Sequence, residues 1–267
     1  MAIVTISRGT FTAGEQLAAL VAERLGYRVI SREALFKRVA ETYGISAEVL
    51  DGLRELEPPL AGAAVTSRQR MLVAVQASLC DLVGQDRVVY HGHVAHLLLP
   101  GVGHTLKVRI VAPRAQRVKL AMEREHLSEL EAHRHIEMID AGRARWARNF
   151  YGADWTDPAL YDMVLNLEWM SVESVADLLV AATHLPCFQP TEQSLARLRD
   201  ISLASRVRAR LMSDDSTADL ALDVTADDGH VRVSGLQSQA NVGPVTEVVR
   251  RVPGVEHVEA APALRGR

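Results

Sequence analysis

The first strand and turn commit this chain to one kind of architecture. The apolar run Ile3-Val4-Thr5-Ile6 leads into Gly9, four residues intervene, and Gly14 opens a helix with Leu17, Leu20, Val21 and Leu25 at helical spacing. A short apolar strand passing directly into an amphipathic helix is the opening of a parallel sheet covered by helices. The turn also follows the spacing G-x-x-x-x-G-K-[ST] of a phosphate-binding loop up to its last two positions. Glu15 stands where a lysine would meet the phosphates, and Gln16 where a hydroxyl would meet magnesium.

The same alternation continues. Strands are predicted at 27–30, 87–90, 106–111 and 161–166. Between and after them helices are predicted at 31–43, 46–55, 66–84 and 171–182, with Pro58-Pro59 closing the second and one long polar helical region over 114–149. The fold class is therefore α/β, a parallel sheet with helices on both faces. Such sheets hold ligands at the carboxyl ends of their strands. Ser7–Gly14, Ser31-Arg32, His91–His96, Pro113-Arg114 and Asn166 all fall at those ends.

A second unit follows the Pro186–Pro190 loop. A helix over 201–211, alternating stretches at 220–224 and 231–233 around Asp227-Asp228-Gly229, a helix bearing Val242, Val245, Val248 and Val249, and a last strand at 255–258 give α-β-β-α-β. The predicted boundaries are 1–185, a linker at 186–200, and 201–262.

Of the 267 residues 48% are hydrophobic, enough for both cores, and a net charge of -3 offers nothing to a polyanion. Aromatics at 4% leave no base-stacking surface, so nucleic acid is excluded as a partner. Cys80 and Cys187 form no CxxC and fit a reducing, cytoplasmic setting. No signal-like or membrane-length apolar segment is found.

The backbone cradle is Arg8, Gly9, Thr10, Phe11, Thr12, Ala13, Gly14, Glu15 and Gln16, whose amides would face phosphate at a helix start. Glu15 either points into it and repels phosphate or points outward and favours the first helical turn; Arg8 or an arginine of 114–148 would replace the missing cation. His91-Gly92-His93 with His96 has H-x-H-x-x-H spacing, but no acidic or cysteine partner lies nearby, so it reads as a polar cluster beside a ligand and no metal site is assigned. The strand before it also lacks the acid that would serve magnesium.

Residues 1–183 resemble the cytidylate kinase-like family of P-loop nucleoside monophosphate kinases. The resemblance rests on Ile6-Ser7-Arg8-Gly9 with Gly14, Ile30-Ser31-Arg32-Glu33, Val88–Gly92, Val108–Pro113, Asp140–Arg143, Tyr151–Pro158 and Tyr161–Asn166. It implies phosphoryl transfer from ATP, with Mg2+, to CMP or a similar nucleotide. It also implies Arg143, Arg145 and Arg148 as lid arginines, and Arg32 with His91, Gly92 and His93 on the acceptor side. Asp140 and Arg143, at i,i+3, would pair with each other; Asp157 and Asp162 read as structural. Residues 201–262 resemble a BON domain through Gly229–Gly235 and Val252–Val258, which implies a lipid or small ligand there. Three functions compete: a kinase, a catalytically degenerate nucleotide sensor coupled to the C-terminal module, and a lipid- or partner-binding protein on a kinase scaffold. Self-association is left open.

Overall fold

The computed structural model describes residues 2–46, 63–84, 87–93 and 95–262. They divide into two compact units, 2–37, 46, 87–93 and 95–190 in one, 38–45, 63–84 and 191–262 in the other. The helices among them are α1 (Gly14–Leu25), α2 (Arg32–Tyr43), α3 (Ala63–Val83), α4 (Arg114–Glu125), α5 (Glu129–Tyr151), α6 (Val172–Thr183), α7 (Glu192–Ser213) and α8 (Val242–Arg250). The strands are β1 (Ile3–Arg8), β2 (Arg28–Ser31), β3 (Val88–Gly92), β4 (Thr105–Val111), β5 (Met163–Asn166), β6 (Asp223–Asp227), β7 (His230–Leu236) and β8 (His257–Pro262). The helix expected at 46–55, with Pro58-Pro59 after it, lies outside the described residues.

In the first unit β1 to β5 form a wholly parallel sheet in the order β2-β3-β1-β4-β5. β1 is central and is buried along Ile3–Ser7, as its apolar run requires. Leu17, Val21, Val175 and Leu179, from α1 and α6, close over Val4, Ile6, Val108 and Ile110 of the sheet. Each such side chain fully removed from water contributes about 1.5–3 kcal/mol. Ser31 caps α2 by accepting from the Ala34 amide at 3.0 Å, as predicted. The chain leaves β1 toward β2 on one side and returns to β4 on the other. The carboxyl end of β1 is thus the switch point of the sheet, where a crevice opens.

The polar region 114–149 is two helices. His126 takes a left-handed conformation (φ 54°) and ends α4. A capping box restarts the chain two residues later: the Glu131 amide donates to Ser128 Oγ, and the Ser128 amide donates to Glu131 Oε2 at 2.8 Å.

In the second unit β6, β7 and β8 form a mixed sheet, antiparallel between β6 and β7 and parallel between β7 and β8. Leu203, Val207, Val224, Val231, Val233, Val245 and Val249 form its core, and the α-β-β-α-β order holds. Gly235 (φ 90°) sits at a register shift between Val233 and Leu236, where any Cβ would strike the Ala221 carbonyl. Residues 220–222, expected in the strand, precede it: they pass under Gly235 as a turn exit, although Leu220 and Leu222 still reach the core.

Two expected boundaries differ from this division. α7 starts at Glu192, not 201, because Thr191 caps it with Ser194 and Leu198 is already buried. α3 packs along α7 and groups with the second unit. Among the described residues no helix is long and apolar enough to cross a membrane, and both cysteines are free.

Candidate functional site

β1 ends at Arg8, and α1 starts at Gly14 with no side-chain cap. Between them Phe11 and Ala13 hold left-handed conformations, φ 56° and 54°. Such positions cost about 1–2 kcal/mol each without glycine and persist only when neighbours enforce them. Here the enforcement comes from the α4–α5 hairpin. Phe11 packs on Val118, Ala121, Ala132 and Ile136, with the His135 ring centroid 6.0 Å away. Arg117 Nε donates to the Thr10 carbonyl at 2.8 Å, and Arg143 Nη1 to the Arg8 carbonyl at 2.8 Å. Within the loop Thr12 Oγ1 donates to the Gly9 carbonyl at 2.9 Å. The turn is held from outside, and the amides at the start of α1 are left to face a ligand.

A cleft of about 270 Å³ opens there. Of the residues expected in the site, it brings together Arg8, Thr10, Phe11, Thr12, Ala13, Gly14, Glu15, Arg32, Gly92, His93 and Arg143. Glu15, in the first turn of α1, is exposed and borders the cleft. Gln16 is exposed and lies off the lining. Gly9 lies behind the loop, under Arg117, and His91 is buried beneath it.

Only one of the three expected lid arginines faces the cleft. Arg145 and Arg148 lie two and five residues beyond Arg143, which turns them to other sides of α5. Arg148 acts near Asp154, whose carboxyl is held below the usual range first by the Thr156 amide and hydroxyl and more weakly by Arg148 and Arg109. The helical stripe that does face the cleft is His135, Ile139 and Arg143, at i, i+4 and i+8. His135 and Glu125 were not foreseen; Arg124, from the end of α4, is one of the 114–148 arginines offered as a replacement cation. Arg117 is another of them, though not singled out. It takes Asp140 with two hydrogen bonds of 2.9 and 2.7 Å, so the expected Asp140–Arg143 pair does not form.

Arg143 is 9% exposed. Burial, then the nearby Arg8, push its guanidinium down to about 10, with Asp140 opposing and Arg32 and Arg117 adding to the effect. It remains a cation at neutral pH, with Arg8, Arg32 and Arg117 near it and Asp140 opposing them. Arg32 reaches the cleft while paired with Glu33 at 3.0 Å and lying 5.4 Å from the Phe36 ring centre.

The three histidines do not converge. His93 Nε2 contacts the Arg143 carbonyl at 3.1 Å and its ring meets the edge of Trp155 at 5.2 Å, whereas His96 packs on Tyr161 at 4.8 Å. Burial lowers all three; His93 falls to about 3, with Arg143 next in effect, and His96 to about 4, helped by Lys107. They are neutral imidazoles at pH 7. Behind them Arg109 lies over Trp155 at 4.9 Å and donates to the Thr156 carbonyl at 2.5 Å. The Tyr161 hydroxyl donates to the Trp155 carbonyl at 2.7 Å. Asp157 caps the turn after it by accepting from the Ala159 amide, and Asp162 accepts from the Lys107 amide, both structural roles.

The cleft suits a phosphate chain. Thr10 Oγ1 and Arg8 Nε are buried and have no hydrogen-bond partner among the described residues. A Cβ at Gly14 would lie 2.7 Å from Arg8 Cβ, so only glycine lets that side chain cross the helix start. The fit to a magnesium ion is poorer. No hydroxyl follows Gly14, and Thr12 Oγ1 is spent on Gly9.

The sequence profile of the Cytidylate kinase-like family matches residues 3–168. A cytidylate kinase of Methanosarcina acetivorans is 28% identical over 185 residues, covering 68% of this chain and 97% of that protein. One from Methanopyrus kandleri is 27% identical over 183 residues, covering 67% and 92%. Among solved structures, an uncharacterized protein from Eubacterium ventriosum matches with a TM-score of 0.53 at 17% identity, covering 68% of this chain and 98% of that one. That last likeness is one of fold alone.

Proposed function

The chain belongs to the cytidylate kinase-like family, and from that premise we propose that it transfers a phosphoryl group from ATP to CMP or a similar nucleotide. The observation that carries this reading is the meeting of Arg8, Arg32 and Arg143 with the uncapped start of α1 on one cleft. The amides after Gly9 and the Thr10 hydroxyl would hold the triphosphate of ATP. Arg143, fixed through the Arg8 carbonyl, would face the group in transfer, and Arg32, at the end of β2, the acceptor phosphate. Transfer of this kind is mostly positioning and electrostatics, which preset arginines provide. Gly92 and His93 would form the acceptor side, the imidazole donating or accepting a hydrogen bond as a neutral group. The test is a coupled ADP-release assay over a panel of nucleoside monophosphates. Turnover with CMP or a relative is expected, and background rates for every acceptor would overturn the reading.

Glu15 favours a second reading. The residue borders the cleft, and its carboxylate, turned inward, would oppose a phosphate chain there. On this reading the protein binds nucleotide without turning it over and couples occupancy to residues 201–262, which resemble a BON domain and would take a lipid or small ligand. Calorimetry with ATP and CMP, and sedimentation of the full chain with anionic liposomes, test it. Absence of nucleotide binding below millimolar would remove both readings at once.

A further inference from the structure

We propose that Arg8 is the phosphate-binding cation of this loop, in place of residue 15, and that the cleft consequently binds a polyphosphate chain without a divalent metal. This deepens the nucleotide reading above and rests on it.

Three independent observations lead there. The first is position. Arg8 closes β1, and its stem crosses the helix start so closely that a Cβ on Gly14 would lie 2.9 Å from Arg8 Cδ. A lysine at position 15 would come from the helix; Arg8 comes from the strand, its stem against Gly14 at the same helix start and the residue itself on the lining of the cleft. The second is unmet hydrogen-bonding capacity. Arg8 Nε is buried without a partner among the described residues, and so is the hydroxyl of Thr10, a residue only 7% exposed; both residues line the cleft. Buried donors in native proteins find a partner, and one left open by the polypeptide is met by a water, an ion or a ligand. A phosphate oxygen would satisfy both.

The third is charge. Four arginines line the cleft, Arg8, Arg32, Arg124 and Arg143, against Glu15 and Glu125 on the lining, Glu33 paired with Arg32, and Asp140 acting on Arg143. Arg143 is depressed by its cationic neighbours as well as by burial, so the crowding is felt inside the protein. An anion of charge -2 or more relieves it, and a metal ion is not needed to make the approach favourable. Glu15 then has a use: it cancels part of the field contributed by the arginines. Gln16 need not ligate a metal.

The experiment is calorimetry of the full chain with inorganic tripolyphosphate and, separately, ATP, each in EDTA and in MgCl2. For the wild type we expect tripolyphosphate and ATP to bind in EDTA within about threefold of their affinity in MgCl2. Arg8→Met should weaken both by at least tenfold, about 1.4 kcal/mol. Arg8→Lys keeps the charge and should stay within about threefold. Loss of binding in EDTA, or wild-type affinity in Arg8→Met, overturns the proposal, as does an equal loss in Arg8→Met and Arg8→Lys, which marks packing instead of charge. Binding of ATP but not tripolyphosphate also overturns it, because the base and not the phosphate chain would then hold the ligand. The two readings fail separately. No phosphoryl transfer with tripolyphosphate binding intact sinks the kinase and leaves Arg8 in place. Transfer at wild-type rates in Arg8→Met does the reverse.

Discussion

Arg117 ties the loop to the hairpin, and its removal gives a sharp test of how the site is held. The guanidinium makes two hydrogen bonds to Asp140 and one to the Thr10 carbonyl, with side chains 15% and 29% exposed in the ion pair. A pair this sheltered lies between an exposed one, worth about 0.2–1 kcal/mol, and a buried one, whose breakage costs about 3–5 kcal/mol. We therefore expect a coupling of about 1–2 kcal/mol between Arg117→Met and Asp140→Asn in a double-mutant cycle. Arg117→Met alone also gives up the charged bond to Thr10, so its total cost should be about 2–4 kcal/mol. Urea unfolding followed by tryptophan fluorescence isolates the relevant unit, because Trp146, Trp155 and Trp169 all fall in the first one. Arg117→Met should also weaken phosphate binding, since Thr10 loses its anchor next to the left-handed Phe11. A coupling within about 0.5 kcal/mol of zero would refute the claim that this pair holds the hairpin on the loop.

Four further outcomes follow from the same geometry. Phe11→Ala should destabilise the first unit by about 2–3 kcal/mol, less than a full core truncation because Phe11 is only partly buried, and should weaken ATP binding in calorimetry. Glu15→Lys should raise ATP affinity several-fold, because the residue borders the cleft; unchanged affinity would place it outside the phosphate field. Stability should fall as pH drops below about 6.5. Buried His93 and His96 keep folded values of about 3 and 4, so the unfolded chain binds more protons in that window; the loss, on the order of a few kcal/mol, should shrink in His96→Leu when urea midpoints at pH 7 and pH 5 are compared. Gly235→Ala should cost the second unit more than about 2 kcal/mol, read by far-ultraviolet circular dichroism, because φ is 90° and the new methyl meets the Ala221 carbonyl.

What the sequence yielded was set by how local the cause is. The five parallel strands, the Ser31 cap and the α-β-β-α-β order follow from runs of a few residues, and the structure contains them. The break between α4 and α5 was also local: Ser128 and Glu131 spell a capping box, a signal overlooked inside a long polar stretch. The length of α7 was harder, because Thr191 and Ser194 make a weaker form of the same signal. The grouping of α3 with α7 was not legible at all, since it joins helices more than 100 residues apart.

The arginines make the same point within the site. Seven arginines between 114 and 148 look alike in sequence, and choosing among them by nearness to a motif selected Arg143, Arg145 and Arg148 together. Helical geometry forbids that choice: residues two and five apart cannot share a face with the first. The positions four and eight residues before Arg143 along the helix are Ile139 and His135, which line the cleft with it. Arg117 needed more, because its partner atom is a backbone carbonyl 107 positions away in sequence, and a carbonyl carries no signature of residue type. The loop is therefore shaped by contacts that no local pattern reports. Its left-handed Phe11 and Ala13 are the trace those contacts leave: residues other than glycine in that conformation mark a turn that is held from outside, here by the α4–α5 hairpin, and not by its own glycines.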